Sequence, residues 1–271
     1  MENPYAPIPA VLDEVVDETP TIKTFVLSPK QPVEFQAGQF VQITVPGLGE
    51  APFTPSSSPY EKGFLEVTVL RTGRVTDAMH ELKPGATLGV RGPFGKGYPL
   101  DQCEGKEVLV VGGGVGLAPL RSLIYALLGQ LDRVKRVAIK YGAREPDELL
   151  YRSFHGEWGG QEKVDIDTTV DVARNGWAGK VGVVTTLMDD MDIDVSNSLC
   201  ISCGPAVMLK FVTLKALEVG YQPEQIYLSM NRRMSCGMGL CGRCNVGPYY
   251  LCKDGPDMCF AKIKDFPGVF S

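Results

Sequence analysis

Two kinds of periodicity divide the chain. Over the first hundred residues, apolar positions alternate with polar ones. In QFVQITVP, Val41, Ile43 and Val45 fall on one side and Gln42 and Thr44 on the other. FLEVTVLR repeats the pattern with Leu65, Val67 and Val69. A period of two predicts half-buried strands. TIKTFVL and ATLGVRG are weaker strand candidates, and the Gly, Pro and Ser content of PGLGEAPFTPSSSP and RTGR marks loops. Short strands split by such loops predict a small antiparallel barrel or sandwich.

The pattern changes near residue 105. KEVLVVGGG is a short apolar run ending in glycines, as a buried parallel strand would be. Leu117, Leu120, Leu123, Ile124, Leu127 and Leu128 then recur at helical spacing. The apolar runs VAIKYG, VDIDTTV, SLCISCG and QIYLSM follow, separated by helical segments. The clearest of these is PAVMLKFVTLKALEVG, with Gly220 as its stop. Strands alternating with helices predict a doubly wound parallel sheet. From about residue 230 no regular pattern survives. The expected divisions are 1–102, 103–229 and 230–271.

Composition narrows the partners. The 271 residues are 44% hydrophobic and 22% charged, as in ordinary globular domains. A net charge of −5 argues against nucleic acid, whose phosphates want a basic surface. No basic segment followed by an apolar run opens the chain, and no run of about 18 apolar residues occurs, so a cytoplasmic protein without membrane insertion is expected. Thiols stay reduced there, which makes clustered cysteines metal ligands rather than disulfides.

Such a cluster exists in CGMGLCGRCNVGPYYLC. Cys236, Cys241 and Cys244 follow C-x4-C-x2-C, with Cys252 later, which is the plant-type ferredoxin spacing. Gly237, Gly239 and Gly242 leave room for a loop to wrap bulky sulfides. A structural zinc held by four thiolates is the competing reading. Cys259 falls outside the spacing, as a free thiol or a replacement ligand. Cys103 and Cys200 read as small buried residues. Arg232, Arg233 and Arg243 flank the run; they offset cluster charge, meet an acidic partner or are a solvated surface. His80 and His155 read as structural, and the acidic run 187–194 as a solvated helix end and loop.

A second motif joins the first sheet strand to its helix. In VVGGGVGLAPL, Gly114, Gly116 and Pro119 make G-x-G-x-x-P. A helix start offers free N–H groups to a phosphate, glycines let the backbone come close, and proline suits the first helical turn. The usual dinucleotide fingerprint differs: it has a third glycine where Pro119 stands and an acid at the end of the second strand, where this chain reads KYGAR.

With this loop and CGPAVM (Cys203 to Met208), the chain resembles the ferredoxin–NADP reductase superfamily. The resemblance implies a flavin-binding antiparallel β-barrel followed by a nicotinamide-binding α/β domain. It implies a dinucleotide site of Gly113, Gly114, Gly116, Pro119, Gly142, Cys203, Gly204, Pro205 and Met208, with Cys203 beside the nicotinamide. Arg144 is a candidate for a 2′-phosphate, and NAD(H) against NADP(H) stays open. The family's Arg-x-Tyr-Ser flavin motif reads Ala51-Pro52-Phe53-Thr54 here. Phe53, Thr54, Pro55 and Ser56 are therefore the expected flavin contacts, with Thr54 near N5. The family arginine is missing. GRVT (Gly73 to Thr76) resembles the second flavin motif, so Gly73, Val75 and Thr76 are expected at the pyrophosphate, and Arg71 and Arg74 could supply the charge. GPFG (Gly92 to Gly95) also matches. GEAPF, GRVT, YGAR and the cysteine tail together are similar to the gamma subunits of nickel–iron hydrogenases and sulfhydrogenases. They are also similar to one of the subunits of anaerobic sulfite reductase and to the electron-transfer subunit of dihydroorotate dehydrogenase.

What the resemblance implies is a relay: NAD(P)H, FAD, then a 2Fe–2S cluster on Cys236, Cys241, Cys244 and Cys252. The flavin converts two-electron to one-electron traffic. No terminal substrate site is visible, so a partner of hydrogenase, sulfur- or sulfite-reducing, or heterodisulfide reductase type is expected. Alternatives are a stand-alone reductase serving an oxygenase and a zinc-stabilised nucleotide-binding module.

Overall fold

The computed structural model describes residues 3–189 and 191–270. The alternating segments form one antiparallel sheet. Its strands are β1 (Ile8–Thr19), β2 (Ile22–Pro29), β3 (Phe40–Val45), β4 (Gly49–Phe53), β5 (Leu65–Leu70) and β6 (Thr87–Phe94), in the order β4-β3-β6-β1-β2-β5. The two edges meet. Pro55, just past β4, bridges Val67 of β5, and the Ser56 N–H donates to the Glu66 carbonyl at 2.8 Å. That contact closes the sheet into a barrel around Leu12, Phe25, Leu27, Val41, Ile43, Leu65, Val67 and Val90. Helix α1 (Arg74–His80) packs against β3 and β4. His80 Nε2 lies 2.9 Å from the Val69 carbonyl, a structural position as expected.

Two expectations change here. The segment read as one loop, residues 46–59, contains β4: GEAPF pairs with β3 from Val41↔Phe53 to Val45↔Gly49. Its proline and glycine suit an edge position, which is why composition hides the strand. The 12-residue β1 is a strand that alternation does not reveal. Its exposed acids break the pattern, and its register shifts twice against β2.

The second half is the parallel sheet. After β7 (Glu107–Gly113) come α2 (Leu117–Leu128), β8 (Arg136–Ala143), α3 (Arg152–Gly159), β9 (Val164–Val170), β10 (Lys180–Val181), β11 (Ser198–Cys203), α4 (Ala206–Glu218) and β12 (Ile226–Ser229). With β15 (Asp257–Cys259) of the tail at one edge, the strand order β10-β9-β8-β7-β11-β12-β15 runs outward from β7 one way, then returns to its other side. The reversal between β7 and β11 opens a crevice at their C-terminal ends, where such sheets bind ligands. The acidic run near 190 is only partly solvated. Leu187 and Met188 end a 3-10 turn and are buried under the sheet, while residue 190 lies outside the described residues.

The tail is more ordered than its composition suggests. It contains β13 (Asn245–Val246), β14 (Tyr249–Tyr250), α5 (Leu251–Asp254), β15 (Asp257–Cys259) and α6 (Phe260–Ile263). Strand β15 adds antiparallel to β12, Ser229 opposite Asp257, so the tail becomes the sheet's last strand. Three residues are too short to show a period, which is why the sequence reads as irregular.

Barrel and sheet are joined by a buried polar seam. Arg121 of α2 reaches Glu66 of β5 at 2.5 Å. Its guanidinium lies 4.6 Å from the Tyr151 ring centroid, 4.8 Å from Phe154 and 5.2 Å from Tyr125. Alongside, Thr68 Oγ1 lies 2.6 Å from the Tyr151 hydroxyl, 3.0 Å from Ser56 Oγ and 2.7 Å from Thr24 Oγ1. Arg121→Ala leaves Glu66 without its cation and removes the stacked plane, so it is expected to lower stability by about 2–3 kcal/mol in denaturant melts.

Candidate functional site

The glycine loop and the Cys203 turn face each other across the switch point. Residues Gly114–Gly116 form a single 3-10 turn between β7 and α2. The glycines do two different jobs. A Cβ on Gly116 would run into the Cys203 carbonyl, and one on Gly113 into the Met208 sulfur. Those two are small because the turn after β11 packs on them. Gly114 has φ +54° and no neighbour within 4 Å of a Cβ, so it is the open, left-handed residue of the loop. Its carbonyl accepts from the Tyr141 hydroxyl at 3.2 Å, which fixes the loop from behind. Pro119 lies in the first turn of α2. This is a phosphate cradle in form: a bare backbone corner at a helix start. Gly204, Pro205 and Met208 complete the facing wall. Gly142, by contrast, makes room for Val184, whose Cβ would be 2.9 Å away. Arg144 follows β8 directly, exposed and without an ion pair among the described residues.

The flavin-side candidates gather on the barrel. Phe53 and Thr54 end β4, half-buried, and β5 lies against Gly114–Gly116. Ser56 is fully buried and its hydroxyl is committed to Thr68, in the seam between domains. Thr76 Oγ1 accepts from the N–H groups of Thr72 and Gly73, both at 2.9 Å, and so builds the start of α1. Val75 packs on the barrel core. Arg71 is exposed and paired with Asp77 at 3.2 Å and Glu81 at 2.9 Å, so its charge is already half-spoken for. Arg74 is exposed beside it.

The four cysteines of the tail come together. Cys236, Cys244 and Cys252 are buried and Cys241 is exposed. Among the described residues no three donors converge on a point as a single ion requires. The Cys244 and Cys252 sulfurs are 3.3 Å apart, with Cys236 and Cys241 on the loop beside them. Four thiols at the plant-type ferredoxin spacing suit two metal ions bridged by sulfide. Gly237, Gly239 and Gly242 all take positive φ, near +75°, which turns the loop's amides inward. Gly239 N–H donates to Cys252 sulfur at 3.0 Å; those of Leu240 and Met238 reach Cys236 sulfur at 3.3 and 3.4 Å. Burial raises the Cys236 thiol, yet the N–H groups of Met238, Cys241 and Leu240 outweigh it and bring it down to about 6, whereas burial and the neighbouring Cys244 push the Cys252 thiol up to about 12. The Cys236 side of the loop favours anionic sulfur.

Cys259 lies apart from these four thiols. It lies on β15 with its thiol toward the Pro223 and Glu224 carbonyls, both at 3.7 Å, against the opposite core from Cys244 and Cys252. Cys103 and Cys200 are buried, and burial pushes both thiols up to about 12. Cys203 is likewise raised to about 12, by burial first and then by Asp257, so it is a thiol rather than a nucleophilic thiolate at neutral pH. Arg232 donates to the Gly268 carbonyl, and Arg243 to Ser235 at 3.4 Å; Arg233 is exposed.

No motif in the chain marks Arg91. It sits on β6 with its side chain 3% exposed, bonded to Glu50 at 2.6 and 3.0 Å and to the carbonyl of Cys236 at 3.4 Å. Its guanidinium lies 5.4 Å from the centroid of Phe94, the ring on which Gly237 rests. A barrel arginine thus seats the cluster loop. The one signal that could have found it is its place just before GPFG.

Three family models match the chain: an oxidoreductase FAD-binding domain over residues 10–98, an oxidoreductase NAD-binding domain over 110–213, and the iron–sulfur cluster binding domain of dihydroorotate dehydrogenase B over 231–264. Sulfhydrogenase 1 subunit gamma of Pyrococcus furiosus is 37% identical, over 99% of this chain and 96% of its own. A probable dihydroorotate dehydrogenase B electron transfer subunit of Methanocaldococcus jannaschii is 35% identical, over 95% and 91%. Among solved structures, one of an NADH-dependent reduced ferredoxin–NADP oxidoreductase, described for flavin-based electron bifurcation, superposes with a TM-score of 0.76 at 29% identity, over 94% and 91%.

Two measurements test this geometry. Gly116→Ala is expected to lose about 2–3 kcal/mol in thermal melts, because backbone must move. Gly114→Ala is expected to lose only about 1–2 kcal/mol, the cost of a left-handed alanine, while both variants bind NADH and NADPH more weakly in equilibrium dialysis. Second, hydrogen bonds from Arg91, aided by Thr44 against burial, hold the Glu50 carboxyl below its ordinary 4.5. A depressed folded value means the pair's stabilisation is complete above pH 4.5 and is lost as pH falls from there through the lower folded value. Denaturant midpoints should therefore drop more steeply below pH 4.5 in the wild type than in Glu50→Gln.

Proposed function

We propose, from the premise that this chain belongs to the ferredoxin–NADP reductase superfamily beside the sulfhydrogenase gamma subunits, that it is the electron-transfer subunit of a multi-subunit redox complex. Electrons pass between NAD(P)H, FAD and a 2Fe–2S cluster, and leave or enter through a partner. The observation that carries this reading is the gathered set of four thiols, lined by inward amides and held by a barrel arginine. An iron–sulfur site there would lie between the flavin-side barrel and the tail segment that adds β15 to the nucleotide sheet.

The bound groups supply hydride acceptance and one-electron transfer. The chain's own residues position them. Gly114 and the start of α2 take the dinucleotide phosphates. Cys203, Gly204 and Met208 shape the floor under the nicotinamide, with the thiol neutral. Phe53 and Thr54 would hold the flavin ring from the barrel, and Gly73 to Thr76 with Arg74 would take its phosphates. Cys236, Cys241, Cys244 and Cys252 hold the cluster. Its outer edge is reachable: Cys241 is exposed and Leu240 is 71% exposed.

A partner of hydrogenase, sulfur-reducing or related type fits two further observations. No helix among the described residues is long and apolar enough to cross a membrane. The outer side of α4 presents Val207, Phe211 and Leu214, each more than half exposed, a stripe of the sort that assemblies cover. The eight cysteines are all unbridged, which suits a reducing cytoplasm.

Anaerobically purified protein is expected to be brown-yellow, to contain FAD with iron and acid-labile sulfide in equal amounts, and to bleach on NADH or NADPH. Cys244→Ser should lose the iron–sulfur bands and keep the flavin. Colourless, iron-free protein rules the reading out. Native purification that yields this chain alone rules out the complex.

A further inference from the structure

Arg91 is a buried charge set against a site whose own charge changes when it works. Its three nitrogens are divided. Nε and Nη2 donate to the two oxygens of Glu50, at 3.0 and 2.6 Å. Nη1 is left for the tail side, where it donates to the carbonyls of Cys236 at 3.4 Å and Pro4 at 3.3 Å. The carboxylate therefore takes one edge of the guanidinium, and the Cys236 loop meets the remaining corner. Together the two side chains carry no net charge. They are nevertheless ordered, with the positive end toward Cys236 and the negative end behind it.

The groups around the pair do not offset that order. Tyr5 and Phe94 offer their rings to the guanidinium, at 5.7 and 5.4 Å. Thr44 donates to Glu50 at 2.9 Å. Gln42, opposite Arg91 on the ladder between β3 and β6, is a neutral amide and fully buried. Among the described residues no other charged side chain pairs with either partner. Phe94 carries the contact onward. Gly237 lies on its ring, and Phe40 is 5.6 Å from it within the core that holds Cys236, Cys244 and Cys252. Cys236 and Gly237 are both buried there, so little water or salt screens the field of the pair.

A field at this place acts on the thiol site. One electron added to an iron–sulfur group on these cysteines, from the flavin, brings no proton to them and makes or breaks no bond. The site simply becomes more negative by one unit. A positive end nearby favours that reduced state, and a negative end opposes it.

We propose that the Arg91–Glu50 pair sets the reduction potential of the tail's iron–sulfur site. Arg91 raises it and Glu50 limits the rise. This role rests on the electron-transfer reading above. Arg91 is a positioning residue in it, since the backbone of Cys236 stands between the guanidinium and the sulfur. Glu50 belongs to β4, the strand that ends in Phe53, so the flavin-side strand also trims the potential of the next carrier.

Redox titration of the full, cofactor-loaded chain, followed by the EPR signal of the reduced cluster, tests this directly. Arg91→Met leaves the carboxylate without its cation and is expected to lower the potential. The expected shift is about threefold or more in the one-electron equilibrium constant, where tenfold is about 59 mV. Glu50→Gln keeps a hydrogen-bond acceptor but leaves the cation unopposed, and is expected to raise the potential by a similar factor. The double variant should return close to wild type, and Arg91→Lys, which keeps the charge, should lie nearer wild type than Arg91→Met. Raising the salt to about 1 M should leave these shifts in place, because the pair is buried. Loss of a mere seat for the loop would not move the two single variants in opposite directions. If Arg91→Met assembles no cluster, the upward shift in Glu50→Gln decides the matter. Shifts below about threefold, or of the same sign in both single variants, overturn the tuning role alone. A wild type that shows no cluster signal after dithionite reduction overturns the electron-transfer reading and this role with it.

Discussion

The structure depends on where the tail is tied down. A cluster on a loose segment would place its electrons anywhere; here the segment is fixed at both ends of its run. Arg91 of the barrel holds the carbonyl of Cys236, and β15 completes the sheet beside β12. Between these anchors the four thiols have little freedom. Arg91 can do this because Glu50 neutralises it within the fold. A buried guanidinium without that carboxylate would be expensive, and with it the arginine becomes a rigid peg. The flavin barrel, the nucleotide sheet and the cluster loop therefore form one body rather than three on a string.

Much of this is legible in the chain alone. Alternation finds β3 and β5, helical spacing finds α2 and α4, and cysteine spacing finds the four thiols that the tail gathers. Each rests on local chemistry that leaves a repeating mark. What stays hidden is what has no period. Strand β4 is an edge strand with proline and glycine in it, and β15 is three residues long. Arg91 and Arg121 matter because of neighbours far off in sequence. No window of the chain shows Arg121 meeting Glu66 or Arg91 meeting Cys236. A buried charge looks like any surface charge until its partner is known.

The glycines show the same division from another side. Gly114, Gly239 and Gly242 are there for conformation, with positive φ, and Gly237 combines positive φ with the Phe94 ring close against it. Gly113, Gly116 and Gly142 are there because a neighbour stands too close. In sequence the two kinds are indistinguishable, and the motif G-x-G-x-x-P mixes them. Likewise Ser56, whose motif points to a flavin contact, has its hydroxyl in the domain seam.

That seam has a consequence for how the protein works in time. Thr68 links Ser56 on one side to Tyr151 on the other, and Arg121 is stacked among three rings beside it. Domains sewn together in this way resist separation: any hinge between barrel and sheet would have to break the Arg121–Glu66 pair and the Thr68–Tyr151 contact in the same motion.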